Sequence, residues 1–203
     1  PVLYSTHARV VEDDSNGYTN TLGDPNSDGC YEIYNAAQLY AFAKMVNGGQ
    51  PSISAKLMAD IDLSAVCGED SASWTPIGSD SQKFTGAFDG QGHTVSELYV
   101  SITKTDTHLY AGLFGYVASG GVVKNLAVSG VVKSEVTVGA YASGWSYTGG
   151  VAGYNEGTVE TCSFSGSVSA VLRSTYLNSS YTGGVVGCNY TGSITNCYHT
   201  GTV

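Results

Sequence analysis

Three aspartates and one histidine are the residues whose types and spacing could support catalysis. Asp60 and Asp62 are two positions apart, so on a strand they would share one face, as the paired carboxylates of glycoside hydrolysis require. Asp89 and His93 flank a Gly-Gln-Gly turn. Turn and strand-end positions explain these residues without catalysis, because Asp side chains there hydrogen-bond the nearby backbone. We therefore predict no catalytic residue; a carbohydrate-active enzyme of the polysaccharide lyase or glycosidase type is the alternative.

The sequence lacks the motifs of several enzyme and metal-site classes. None of the four histidines is followed by Glu, which excludes the His-Glu-x-x-His zinc site of metallopeptidases from these residues. No Gly-x-Ser-x-Gly elbow, phosphate-binding loop or dinucleotide fingerprint occurs. The Asp/Asn/Gly runs at 13–17 and 23–29 lack the ligand spacing of an EF-hand calcium loop. We expect neither a metal nor a cofactor.

The five cysteines fall into two groups. Cys162 and Cys197 occupy the same position of two similar segments in which a third segment has Leu126, so we predict that they are stacked free thiols in an apolar core. Cys30 and Cys67 lie outside these segments. They are the candidates for a disulfide that ties the N-terminal segment to the rest of the chain, and free thiols are the alternative.

Composition narrows the choice of partners. The net charge is −9 with a pI of about 4.6, which disfavours nucleic acid and anionic membrane surfaces because both require basic patches. No stretch approaches the roughly 18 apolar residues of a membrane-spanning helix. Only 12% of the residues are charged, while Gly and Tyr are abundant, a composition typical of extracellular all-β proteins. We expect no direct membrane insertion.

One segment has the pattern of an amphipathic helix. Asn35 can cap its N-terminus, with Gln38 at the matching capping-box position. An apolar stripe follows at i, i+3, i+4 and i+7, and Gly48 and Gly49 can end the helix. The stripe consists of Leu39, Phe42, Ala43 and Val46. An isolated helix ahead of an all-β chain is well placed to cover the open end of a β-structure.

An internal repeat is the decisive pattern of this sequence. Ala-Gly-Leu-Phe-Gly at 111–115 returns as Gly-Gly-Val-Ala-Gly at 149–153 and as Gly-Gly-Val-Val-Gly at 183–187. Matching positions are 38 residues apart (Leu113 to Val151) and then 34 (Val151 to Val185). The extra residues fall in two inserts, 133–146 and 171–180. Insertions confined to one place of a repeat indicate a solenoid with its long loops on one side.

Five aromatic residues in or beside these inserts are the candidate ligand contacts. Such side chains could stack on sugar rings or anchor a partner protein. Amphipathic tyrosines at strand edges are the structural alternative. The candidates are Tyr141, Trp145, Tyr147, Tyr176 and Tyr181.

These patterns predict an all-β fold, a right-handed parallel β-helix (solenoid) with an N-terminal capping α-helix. Short strands separated by Gly corners fit parallel stacking at about 4.8 Å per turn, and the scarcity of Asn-Gly hairpin signals disfavours an up-and-down meander. We divide the chain into an irregular segment with the helix (1–55, helix about 36–47) and the β-helix (56–203, repeats from about 111). Together they form one continuous domain.

The repeats resemble a known motif. Gly-Gly-Val-Ala-Gly-Tyr-Asn-Glu-Gly-Thr-Val at 149–159 and Gly-Gly-Val-Val-Gly-Cys-Asn-Tyr-Thr-Gly at 183–192 are similar to the GLUG repeat of bacterial surface adhesins, which also occurs beside the peptidase domain of IgA-protease-type metallopeptidases. Trp74–Gly78 and Phe84–Val95 look like the lead-in turn of the same proteins. The resemblance covers residues 31–203 and implies a secreted or surface-anchored bacterial protein.

We therefore expect a non-catalytic, secreted or cell-surface module, which acts in adhesin-like binding or as a rigid spacer within a larger bacterial protein. The expected partners are a host glycan or a protein. The last turn of the solenoid would present an open edge, so we also expect end-to-end self-association through it.

Overall fold

The computed structural model describes residues 22–175 and 178–203. These residues form one α-helix, α1 (Ala36–Asn47), one short 3₁₀ helix (Leu63–Ala65) and many short strands. The lead-in strands are β1 (Cys30–Ile33), β2 (Ser54–Leu57), β3 (Ile61–Asp62), β4 (Ala87–Asp89) and β5 (Thr94–Thr105). The first repeat holds β6 (Leu109–Ala111), β7 (Phe114–Val117) and β8 (Val122–Val138), and the second holds β9 (Ser146–Gly149), β10 (Ala152–Asn155) and β11 (Thr158–Ser174). The third repeat holds β12 (Ser180–Gly183), β13 (Val186–Asn189), β14 (Ser193–Thr195) and β15 (Tyr198–Thr202).

Matching strands of successive repeats pair in parallel and build three sheets. One sheet is β6–β9–β12 and a second is β7–β10–β13. The largest runs β1–β2–β4–β8–β11–β14, with β3 paired to β5, β5 to β8, and β15 to β11. The β8–β11 ladder keeps its register from Val122 opposite Thr158 to Val138 opposite Ser174. The predicted parallel β-solenoid is confirmed, and it has about four turns.

The core is a set of stacked columns of apolar side chains. Val123 and Val159 pair in register and are both fully buried. Phe164 lies in the next column, opposite Val128. A Cβ added to Gly150 would overlap the Phe164 ring. The Gly-Gly pairs of the repeat therefore mark a narrow part of the core, where a ring packs directly against backbone.

The helix α1 covers the N-terminal end of this core. The side chain of Asn35 accepts a hydrogen bond from the Gln38 N–H at 3.0 Å, and Gln38 Oε1 accepts one from the Tyr34 N–H at 2.7 Å. The buried stripe includes Phe42, whose ring centroid lies 6.3 Å from that of Phe84 and 5.9 Å from that of Phe88. The predicted helix and its N-cap are present, and the helix buries its apolar face on the first aromatic residues of the core.

The parallel sheet extends further toward the N-terminus than the boundary at residue 56 predicts. β1 pairs with β2 over four residues, from Cys30 opposite Ser54 to Ile33 opposite Leu57. The segment ahead of the helix is thus already part of the largest sheet. The predicted boundary between the irregular segment and the β-helix rests on the first strand pattern after the helix. β1 shows no such pattern, because it is only four residues long and lies between a turn cluster and the helix cap. Residues 1–21 of the predicted irregular segment lie outside the described residues.

A column of charged side chains of alternating sign follows the outer face of the largest sheet. In-register pairs place Glu32 beside Lys56, Lys56 beside Asp89, and Asp89 beside Lys124. Glu160 continues the column beside Lys124. Ion pairs close at 3.3 Å between Lys56 and Glu32 and at 3.4 Å between Lys124 and Asp89. Opposite charges on neighbouring strands favour this register over a slipped one.

Candidate functional site

The structure places Asp60 and His93 in contact. Asp60 Oδ1 accepts a hydrogen bond from the Thr94 N–H at 2.8 Å and lies 3.2 Å from His93 Nδ1. These bonds, with the Thr94 N–H as the largest contribution, lower the pKa of Asp60 below its ordinary value. A general acid at neutral pH needs the opposite shift. The pair therefore ties the start of β5 to the preceding turn of the solenoid.

Asp62 and Asp89 also serve the backbone. Asp62 caps the 3₁₀ helix by accepting the Ser64 N–H at 2.8 Å, and this bond lowers its pKa. Asp89 accepts the Gln91 N–H at 2.9 Å and the Asn125 side-chain amide at 3.0 Å. Burial raises the pKa of Asp89, but these hydrogen bonds and the charge of Lys124 outweigh it, and the net shift is downward. All three candidate carboxylates are held in the charged form as hydrogen-bond acceptors.

Two further findings concern metals and membranes. Over residues 22–175 and 178–203, no three His, Cys, Asp or Glu side chains are arranged to hold a metal ion. In the same residues no helix has both the length and the apolar character needed to cross a membrane.

The two disulfide candidates do not meet. Both are free thiols. Cys30 lies in β1 opposite Ser54, whereas Cys67 follows the 3₁₀ helix and its Sγ donates to the carbonyl of Glu97 in β5 at 3.6 Å. The structure thus gives the second alternative, free thiols, because each cysteine packs against a different turn of the solenoid.

Cys162 and Cys197 are brought together in neighbouring turns. Cys162 lies opposite Leu126 in the β8–β11 ladder, and its N–H donates to Cys197 Sγ at 3.4 Å. Burial, and secondarily the Cys197 thiol, raise the pKa of Cys162 to about 12. A thiol with so high a pKa carries almost no thiolate at neutral pH. Cys162 is therefore a packing residue and not a nucleophile.

Two of the five candidate aromatics lie in a continuous stack of rings. Tyr110, Tyr147 and Tyr181 occupy the same position of β6, β9 and β12. The Tyr147 ring stacks on Tyr110 with centroids 5.1 Å apart and 14° between planes, and on Tyr181 at 5.4 Å and 9°. We call these three residues the tyrosine ladder. Tyr147, in the middle, is only 5% exposed, whereas Tyr181 at one end is 41% exposed.

A second pair of tyrosines stands against the ladder. Tyr116 and Tyr154 pair in register in β7 and β10 with centroids 4.7 Å apart, and Tyr154 packs its edge on Tyr147 at 4.9 Å. A Cβ added to Gly153 in β10 would lie 2.7 Å from the carbonyl oxygen of Tyr147 in β9. The two sheets therefore approach closely here, at a corner of the solenoid where the tyrosine rings cluster.

The other candidate aromatics differ in position. Trp145 is 39% exposed; its ring centroid lies 5.4 Å from that of His108 and 6.2 Å from that of Tyr147. Tyr141 is 91% exposed and has a left-handed backbone with φ of 68°. Tyr176 lies outside the described residues. Of the predicted set, the structure brings together Trp145, Tyr147 and Tyr181.

The sequence interpretation missed Tyr110, Tyr116 and Tyr154. The signal was present in the repeat. A Tyr stands two residues before Gly112, Gly149 and Gly183, and each of these is the first glycine of its copy of the repeated motif. The inserts contain only part of this set, whereas the periodicity of the whole repeat identifies the ladder.

Burial keeps the corner phenols neutral. It is the first cause that raises the pKa of Tyr110 and of Tyr154 to about 12, and it raises the pKa of Tyr116 and Tyr147 as well. Lys83 donates to the Tyr116 hydroxyl at 3.2 Å, and its ammonium lies 4.4 Å from the ring centroid. The corner is thus an apolar, uncharged aromatic surface with a polar rim, which suits stacking rather than proton transfer.

Two stretches of the chain match a known family model. Residues 146–169 and 178–203 match the model of the GLUG motif. The first stretch begins at β9 and contains Tyr147, and the second contains Tyr181. The resemblance of the repeats to the GLUG motif is confirmed.

Two curated relatives align with most of this chain. The "Putative Gly-rich membrane protein" of Evansella cellulosilytica is 30% identical over 163 residues, which are 80% of this chain and 17% of that protein. "Halomucin" of Haloquadratum walsbyi is 32% identical over 172 residues, which are 79% of this chain and 2% of that protein. The chain therefore spans less than a fifth of the length of either relative.

One solved structure is similar in outline. It comes from Bacteroides ovatus and is described as "a putative immunoglobulin A1 protease". Its identity to this chain is 17% and its TM-score is 0.41, over 96% of this chain and 82% of that one.

Proposed function

We propose that this solenoid of GLUG repeats is a non-catalytic module of a larger secreted or cell-surface protein, in which it serves as a rigid support that displays a binding face. The GLUG motifs and the names of the two relatives, a Gly-rich membrane protein and a halomucin, support a surface location. The small share of those relatives that the chain covers supports a role as one module among others.

The observation that carries the proposal is the parallel pairing of successive turns. β8 and β11 pair in constant register from Val122 opposite Thr158 to Val138 opposite Ser174, and the charged column continues across five strands. Each turn is hydrogen-bonded to the turns next to it. Bending the array would therefore break hydrogen bonds between turns. The carboxylates that could have been catalytic contribute hydrogen bonds to the same stack.

The proposal also assigns the module an adhesin-like binding role. The tyrosine corner supports this role, because the tyrosine ladder leads to partly exposed rings at Trp145 and Tyr181. Partly exposed, pre-positioned aromatic side chains lose little conformational entropy on binding. A spacer that only separates other domains would not need such exposed aromatic side chains.

The first test separates a surface module from an enzyme. The purified chain is incubated with a panel of plant, bacterial and host polysaccharides, and new reducing ends and unsaturated uronate products are measured. We expect none, because the pKa values of the three candidate carboxylates, Asp60, Asp62 and Asp89, are lowered, which is the opposite of what a general acid needs. Product formation that Asp60→Asn or Asp89→Asn abolishes would overturn the non-catalytic assignment. A glycan array with the same variants, expected to retain wild-type binding, is the companion measurement.

A further inference from the structure

A cavity lies at the N-terminal end of the tyrosine ladder. Its volume is about 630 Å³, within the roughly 300–1,000 Å³ of small-molecule sites. β6 is the edge strand of its sheet, so the lead-in turn contributes a loop rather than a fourth strand beside Tyr110. Pro76, Gly78 and Asp80 of that loop line one side of the cavity, and His108 and Tyr110 line the other.

Tyr110 supplies an aromatic platform. Tyr147 covers one face of its ring at 5.1 Å, and this partner comes from the turn on the C-terminal side. The cavity is lined by the turn on the opposite side, and Tyr110 remains partly exposed. The edge contacts of Tyr116 at 5.4 Å and Tyr154 at 6.1 Å hold the ring in place. The platform is therefore fixed before any ligand arrives, which reduces the entropy cost of binding.

Polar side chains with unused hydrogen-bonding atoms line the same cavity. Within residues 22–175 and 178–203, the side chains of Asp80 and Lys104 line it and form neither a hydrogen bond nor an ion pair. His108 Nδ1 accepts the Trp145 N–H at 3.2 Å, an arrangement that leaves the ring proton on Nε2 as a donor. The negative charge of Asp80 is, after burial, a cause of the raised pKa of Tyr110, so the carboxylate lies near the platform.

We propose that this cavity binds a pyranose ring of a neutral glycan, stacked on Tyr110 and hydrogen-bonded by Asp80, Lys104 and His108. The C–H face of a pyranose is apolar and suits an aromatic ring, while its hydroxyls need both acceptors and donors at the rim. Asp80 offers two acceptor oxygens, and Lys104 and the His108 Nε2–H offer donors. An anionic polymer is disfavoured by Asp80 and by the net charge of −9.

The inference rests on the proposed surface function and adds the place and the chemistry of binding. It involves no bond cleavage, so a blank degradation screen leaves it intact. It also differs from a general role of the aromatic corner, because it assigns binding to the Tyr110 end of the ladder and not to the Tyr181 end.

The test is a calorimetric titration of the full chain with oligosaccharides that carry terminal galactose, glucose, mannose or N-acetylglucosamine. Asp80 and Lys104 are exposed, so Asp80→Ala and Lys104→Ala should fold normally. Each should weaken the binding of the best ligand about tenfold through the loss of a charge-assisted hydrogen bond.

Tyr110→Phe keeps the aromatic platform and should retain most of the affinity, whereas Tyr110→Ala should abolish binding. Asp70→Ala, an exposed carboxylate outside this cavity, is the matched control, and Tyr181→Ala distinguishes the two ends of the ladder.

Three results would overturn the inference. Loss of binding in Tyr181→Ala with wild-type binding in Asp80→Ala and Lys104→Ala would move the site to the other end of the ladder, and the adhesin-like role would stand. Binding to none of the oligosaccharides by the wild-type chain would remove the saccharide as ligand. Equal loss in Asp70→Ala and Asp80→Ala would show a nonspecific charge effect. Thermal unfolding of each variant separates lost binding from lost folding.

Discussion

At the scale of single residues, the ionisable groups of this chain are used to hold the fold. Asp60, Asp62 and Asp89 accept backbone or amide hydrogen bonds in the charged form. Cys162 and the corner tyrosines are kept neutral by burial. The sequence predicted the structural role of the aspartates, because their turn and strand-end positions are local features. The period of the repeat predicts the tyrosine ladder, but the contact of the ladder with Tyr116 and Tyr154 depends on how two sheets pack and is visible only in the structure.

The raised pKa values predict a loss of stability in alkaline solution. Burial raises the pKa of Cys162 from 9.0, and that of Tyr110 from 10.0, to about 12 in each case. Below the ordinary values both groups are neutral in the folded and unfolded chains, so their contribution is fully present. Above them the unfolded chain releases protons that the folded chain retains, and stability falls as pH rises toward 12. Urea unfolding midpoints measured across this range should decline steadily.

The variant Cys162→Leu measures how much the Cys162 thiol contributes to the alkaline loss of stability. Leu126 occupies the same position in the preceding turn, so leucine should fit the column. The variant should lose the share of Cys162 in the decline that begins near pH 9, while the share of the other buried thiols and the tyrosine part that begins near pH 10 remain. A variant with the same alkaline profile as the wild type would contradict the assignment of the first part to Cys162.

At the scale of elements, the helix and the repeated strands were predictable, and the pairing of the short lead-in strands was not. The Asn35 cap and the apolar stripe of α1 are local signals, and the matching copies from residue 111 predict strands that stack. β1 and β4 are only four and three residues long, too short for a periodic signal. Their place in the sheet is visible only through their partners, Ser54–Leu57 for β1 and the β8 strand for β4.

The alternating charged column predicts a charge-reversal effect. Lys124→Glu would face carboxylates on both neighbouring strands, Asp89 and Glu160, and should lower the free energy of unfolding by about 1 kcal/mol. Adding Glu160→Lys restores one pair of opposite charges at this position and leaves Asp89 unchanged, so it should recover part of the loss, as chemical denaturation would measure. Lys104→Glu, at an exposed position without an ion-pair partner, is the control. If it destabilised the chain as much as Lys124→Glu, the column would have no special role.

At the scale of the whole molecule, the two ends of the solenoid differ. The helix α1 covers one end. At the other, Ile194 continues the core column of Val123 and Val159, yet it is 41% exposed whereas they are fully buried. Within the described residues, β14 and β15 pair on one side only, with β11. The core column that α1 covers at the first end is thus continued by Ile194 in the last strands of the described residues.

The identical pentapeptide Ser-Tyr-Thr-Gly-Gly at 146–150 and at 180–184 has a consequence for how such proteins evolve. Duplication of the DNA that encodes one repeat of 34–38 residues would add one tyrosine to the ladder. The contacts within the existing turns would stay unchanged, because each turn depends only on its neighbours. Unequal recombination can thus adjust the reach of the molecule in steps of about 4.8 Å. Copy number alone would then set the length of the solenoid, without a change in the proposed glycan site beside Tyr110.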